Sequence, residues 1–190
     1  KETPERFHAM LLVLPSDVNT TYLYHILSGL RSSELDAELK LSAAFIGLRV
    51  SDTGCLRLGL DLVKECAGKA LLSSERFGQL LSLCDRAENM DVTKAFGDDH
   101  GQRLLNHGIN TVAGSAIITA GAVLLKQHEF ADPCSSLVER LVSGAPAPLL
   151  ACALHVVCQL TVIDQERAVD LFLAVVGRDP LLLTTSYGDR

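Results

Sequence analysis

The residues best suited to chemistry gather in one stretch of the 190-residue chain. Gly97-Asp98-Asp99-His100 is followed by Arg103, Asn106, His107 and Asn110, so carboxylates, imidazoles and amides sit close together. A carboxylate beside an imidazole can move a proton or hold a metal ion. The same groups on a loop can grip a protein partner. Asp98 and Asp99 also suit the start of a following helix, where a carboxylate accepts from unpaired amides. A second pattern is Cys152-x-x-His155-x-x-Cys158. On a helix its members fall within one arc of ~120°. Zinc takes four ligands, and no fourth follows nearby. Two core thiols around a hydrogen-bonded histidine is the simpler reading. His25, among Tyr22, Leu23 and Tyr24, reads as a surface histidine packed on its own helix.

Familiar catalytic signatures fail on inspection. Gly68-Lys69 has Val63 where a phosphate-binding loop needs its first glycine, and Ala70 where it needs a hydroxyl. Ser115 follows Gly114, but Ala113 precedes that glycine and Ile117 replaces the closing glycine of a nucleophile elbow. A net charge of -6 and a pI near 5.5, with lysines and arginines scattered singly, speak against a nucleic-acid surface. An apolar content of 48% excludes a disordered chain. The six cysteines mostly lie in amphipathic runs without C-x-x-C, and Lys1–Met10 is charged, not a signal peptide. A reduced, cytoplasmic protein is expected. Lys1 is not an initiator, and the apolar run Leu181–Leu183 comes close to the last residue, so a fragment of a longer protein is expected as well.

The elements that must position these residues are helical. Apolar residues recur at three- and four-residue intervals, and β-branched residues rarely alternate with polar ones. Ser33 suits the cap of a helix with Leu35, Leu39, Ala43, Ile46 and Val50 inward. Ser73 or Ser74 opens another, with Phe77, Leu80, Leu81 and Cys84 inward. Asp132-Pro133 opens a third over Leu137 and Leu141, stopped by Gly144. Ala147–Leu160 follows it. Asp164 caps a helix with Ala168, Val169, Phe172, Leu173 and Val176 inward; Gly177 ends it, and Asp179-Pro180 opens one more. Helix starts at Cys134 and Gln165 lie 31 residues apart, close to the ~34–45 of helical-hairpin repeats. The fold expected is all-α: an α-solenoid of stacked antiparallel hairpins, with a compact helical bundle as the alternative.

Its organisation reads as N-terminal hairpins over 1–86, a polar glycine-containing loop over 87–108, and C-terminal hairpins over 109–190. A structureless stretch that long is functional or partly disordered by default. Leu104–Leu125 and Leu141–Ile163 hold no Asp, Glu, Lys or Arg and have the length of a bilayer span. Their asparagines, histidines, prolines and threonines suit the interior of a helical stack better, so no membrane is expected.

Three segments carry a family resemblance. Gly108-Ile109-Asn110-Thr111-Val112-Ala113-Gly114-Ser115-Ala116 resembles the G-I-N-S-V-R-G-x-A segment in the helical-repeat region of large bacterial STAND (NACHT-like) NTPases, which include antiphage-defence ATPases. Leu11–Leu30 resembles their L-P-P-D-x-x-x-x-Y helix pair, and Glu166–Tyr187 their A-V-x-L-F-L…D-x-L-L-x-T-x-Y run. The segments keep the family's order and together span most of the chain. Ala113 replaces the family's arginine, and its acidic, Gly-rich stretch survives only as Gly97–Gly108. The resemblance implies a HEAT-like sensing arm whose parent protein carries the ATPase, with no cofactor and no catalysis in this part. Expected partners are a protein ligand and other domains of the same chain. The expected contacts are Asp98, Asp99, His100, Arg103, Asn106, His107 and Asn110. The rivals are a structural scaffold or adaptor, and a small metal-dependent hydrolase using the 98–107 stretch.

Overall fold

The computed structural model describes residues 19–86 and 100–187, and among these every regular element is helical. The chain divides into two compact units, Lys1–Arg76 and Phe77–Arg190.

The first unit holds α1 (Thr20–Arg31), α2 (Ala37–Gly47) and α3 (Thr53–Cys66) in mutual contact. Each begins at an Asn or Asp whose side chain accepts from an otherwise unpaired amide: Asn19 from Thr21, Asp36 from Glu38, Asp52 from Cys55. Asp36, not Ser33, therefore starts α2; the Ser33 hydroxyl is turned back to the Leu30 carbonyl. The buried set on α2 is Lys40, Leu41, Ala43, Ala44, Phe45 and Gly47. Of the expected stripe only Ala43 is fully inside, because the later start leaves Leu35 ahead of the helix. Lys40 is buried by its ion pair with Glu65 at 2.9 Å. Arg76 closes the unit by donating to Glu38 and Ser42 with its guanidinium over the Phe45 ring.

Asp52 provides a pH test. The amide of Cys55, bonded to its carboxylate at 2.8 Å, holds its pKa below the usual carboxylate value. A depressed carboxylate stabilises the fold above its unfolded pKa, and that stability fades as pH falls through the folded pKa. Asp52→Asn is therefore expected to flatten the loss of thermal stability between pH 5 and acid values, relative to the parent chain, when melts are followed by circular dichroism. An unchanged acid limb would remove Asp52 from that role.

The second unit contains α4 (Ser74–Cys84, its first turn at the boundary), α5 (His100–Ile109), α6 (Val112–Leu124), α7 (Ala131–Gly144), α8 (Ala147–Leu160) and α9 (Gln165–Arg178). Two 3-10 turns, His128–Phe130 and Pro180–Thr184, complete it. Ser73 caps α4 and Asp164 caps α9, as expected from sequence. Apolar on nearly every side, α8 has Leu149–Leu154 wholly buried and touches α5, α6, α7, α9 and the last 3-10 turn. Phe77 of α4 stacks on Phe130, ring centroids 4.0 Å apart.

Both uncharged stretches serve this interior. Leu104–Leu125 is broken between α5 and α6, which bend by 95° and together have the length and composition of a span. No single helix among the described residues is long and apolar enough to cross a membrane. Most of α6 is buried inside the unit, and the Thr119 hydroxyl is satisfied by the Ser115 carbonyl one turn back.

Two expectations fail here. Residues 100–108, expected as loop, form α5, while 87–99 lie outside the described residues. Gly101 and Gly108, whose type favours a loop, are both buried on one side of α5 with Leu104 and Leu105. On α9 the buried residues are Ala168, Leu171 and Val175; Val169 and Leu173, expected inward, are exposed.

Candidate functional site

Of the candidate contacts, His100, Arg103, Asn106 and His107 belong to α5 and Asn110 follows its last residue; the helix's two faces explain one another. Gly101, Leu104, Leu105 and Gly108 face the interior, whereas Arg103, Asn106, His107 and Asn110 are exposed. The exposed four are spaced i, i+3, i+4 and i+7, one side of a helix. The helix interior is fixed by close approach to α8. A Cβ at Gly108 would lie 2.7 Å from Cys152 Sγ and 3.0 Å from the Pro148 carbonyl carbon. At the other end, the Gly101 amide donates to Thr184 Oγ1 at 2.9 Å, and a Cβ there would meet Leu181 O at 2.6 Å. Glycine costs helix propensity, but here any side chain would force the helices apart.

The bend after α5 is a hydrogen-bonded corner. The Gly108 carbonyl accepts from both the amide and the hydroxyl of Thr111, at 2.9 and 2.7 Å. The same hydroxyl oxygen accepts from the Gly114 amide at 2.9 Å and so caps α6. Thus Gly108 to Gly114 makes a tight corner against α8, and Ala113 within it is buried. The end of the Glu166–Tyr187 segment packs at the opposite end of α5. Besides the Thr184 bond, Ser186 donates its amide to Gln102 Oε1, and the Tyr187 ring lies 5.0 Å from that of His155.

Along the exposed face, Gln102 donates to Asn106 Oδ1 at 3.2 Å and Asn110 donates to the Asn106 carbonyl at 2.8 Å. These bonds hold the amides in a row along the helix. Asp98 and Asp99 lie outside the described residues, and of His100 only the backbone is described. Among the described residues no group of three His, Cys, Asp or Glu is placed to hold a metal ion.

Cys152, His155 and Cys158 do share a side of α8, but each has a packing role. Cys152 is buried against Gly108 and Gly114, the His155 ring lies against Gly121 and Tyr187, and Cys158 donates to the Tyr187 carbonyl at 3.5 Å. Burial pushes the Cys134 and Cys152 thiols up to about 12, and burial with the Asp52 bond pushes Cys55 to about 11. Protonated thiols of that kind are poor nucleophiles and poor ligands. None of the six cysteines is in a disulfide. His25 is exposed, edge-on to Tyr24 at 5.8 Å.

One feature had no signal in the sequence. In the first unit an open cleft of about 310 Å³ lies among Thr20, Thr21, Tyr24, Asp52 and Gly54, where α1 and α3 begin side by side. Only the capping residues Asn19 and Asp52 hint at it, and they do not say that the two helix starts are neighbours.

No protein-family model matches the chain, and neither a curated protein nor a solved structure matches it.

Proposed function

We propose that the chain is a non-catalytic helical interaction module that serves as the ligand-sensing arm of a larger bacterial signalling or defence NTPase, with the polar face of α5 as a contact surface. The observation that carries this reading is the two-faced α5. Its interior is locked to α8 through Gly108 and to the last 3-10 turn through Gly101, and its exterior displays Arg103, Asn106 and His107, with Asn110 just after its end. A rigid helix presents contacts with less ordering cost than a loop. The short connections joining α7, α8 and α9 support stacked hairpins. The enclosure of α8 by four helices and the last turn supports the alternative, a compact bundle. The NTPase parent rests on the resemblance of the three segments.

The test is a photo-crosslinking residue placed at Asn106 or His107 of the whole parent protein, with Glu34 as control. A discrete protein adduct is expected from the α5 positions and none from Glu34. Equal or absent adducts would overturn the contact surface. A parent chain with G-x-x-x-x-G-K-[ST] between a strand and a helix is expected; one made only of further helices would reduce the protein to a scaffold.

A further inference from the structure

Half of the strongly exposed large apolar side chains among the described residues fall between positions 162 and 183: Val162, Val169, Leu173, Leu181 and Leu183. The centre of this region is α9. At 100° per residue, Phe172, Val176, Val169 and Leu173 occupy one arc of ~100°. That is the stripe whose pattern marks it for burial, yet Val169 is 48% and Leu173 59% exposed, and Phe172 and Val176 are only partly covered. The interior is served instead by the smaller set Ala168, Leu171 and Val175. The outer face of α7, in contrast, is polar, with Asp132, Ser136, Glu139 and Arg140 exposed. An apolar stripe on an otherwise polar surface marks an interaction site.

Charge selects the occupant. Glu166 and Asp170, one turn apart and exposed, border the stripe on the Leu173 side. The two cations of α9 are engaged elsewhere: Arg167 with Asp132 at 2.9 Å and Glu139 at 3.5 Å, Arg178 with the Val142 carbonyl. Neither Glu166 nor Asp170 has an ion pair among the described residues. We infer that the outer face of α9 docks an amphipathic helix of a partner protein, apolar along one stripe with lysine or arginine on the edge that meets Glu166 and Asp170. Helix-on-helix docking through i, i+3, i+4 and i+7 anchors is a recurring recognition mode, and edge charges set its orientation. A second copy of this chain fits less well, because it brings a carboxylate edge to a carboxylate edge in a molecule of net charge -6. The inference rests on the reading of the chain as an interaction module and adds a surface separate from α5.

The probe is a synthetic eighteen-residue helix with leucine at i, i+3, i+4 and i+7 positions and lysine elsewhere, followed by fluorescence anisotropy against the whole chain. Its counterpart carries glutamate for every lysine. The Leu/Lys peptide is expected to bind and the Leu/Glu peptide not to. Val169→Ser with Leu173→Ser is expected to weaken binding about tenfold or more at unchanged melting temperature, as both positions are exposed. Glu166→Gln with Asp170→Asn is expected to weaken it about threefold and to reduce its salt dependence. Ser136→Ala on the polar outer face of α7 serves as the neutral control. Equal binding of both peptides, binding of neither, or full affinity in the Val169/Leu173 variant overturns the inference. A dimer seen by sedimentation and lost in that variant also overturns it, assigning the face to a second copy. These outcomes leave crosslinking from α5 untouched: its persistence would remove only the α9 surface, whereas its loss would remove the module itself.

Discussion

Gly114→Ala is expected to cost the second unit about 3 kcal/mol and to lower its melting temperature by roughly 10 °C. A Cβ at this position would lie 2.5 Å from the Gly108 carbonyl carbon and 3.1 Å from Cys152 Sγ. The first neighbour is backbone in a corner pinned by Thr111, so it cannot turn aside as a side chain would. Relief requires breaking the Thr111 bonds or lifting α6 from α8. Gly78→Ala is the matched control, since nothing lies within 4 Å of its added methyl. It should raise stability by about 0.5–1 kcal/mol through helix propensity alone. A chemical-denaturation series on the two variants decides the matter; a Gly114→Ala protein as stable as the parent would show that the corner is loose.

That corner also explains how far sequence reasoning reached. Apolar spacing is enough to identify a helical protein, and the capping roles of Asp164 and Ser73 and the whole of Ala147–Leu160 follow from local rules that the chain obeys. Gly101 and Gly108 defeat the same rules. Locally they argue for a loop, and only neighbours distant in sequence, the last 3-10 turn at Gly101 and α8 at Gly108, require glycine at these helix positions. The candidate residues were legible only as a cluster of polar groups in an expected loop, and the glycines hid the helix that gives Arg103, Asn106, His107 and Asn110 a common face. On α9 the failure is of another kind. Two apolar arcs share that helix, and periodicity reports both without saying which meets α8. The larger side chains lie on the uncovered arc, so size pointed the wrong way.

The second large effect is expected at Phe77. This ring is 2% exposed and lies nearly parallel to Phe130, with 10° between their planes. It is the main apolar anchor that α4 contributes next to Leu80 and Cys84. Phe77→Ala should cost about 3–5 kcal/mol, from lost transfer energy and the cavity left beside Phe130. Phe77→Leu keeps most of the volume and should cost about 1.5 kcal/mol or less beyond the loss of ring stacking. Urea unfolding of both variants separates cavity from stacking. A loss below about 1 kcal/mol in Phe77→Ala would mean that the surrounding side chains collapse into the gap.

The bond from Gly101 to Thr184 joins residues 83 apart and seats the last turn on the start of α5. During translation α5 emerges well before its partner. At the usual ~5–20 residues per second, the intervening chain takes about 4–17 s to synthesise. For that interval the amide end of α5 waits without the turn that covers it, and α8, apolar on nearly all sides, arrives before α9. Long-range closure of this kind slows folding relative to a row of local hairpins. The second unit is thus expected to close only after Thr184 has emerged, and to refold more slowly than a row of local hairpins of equal length.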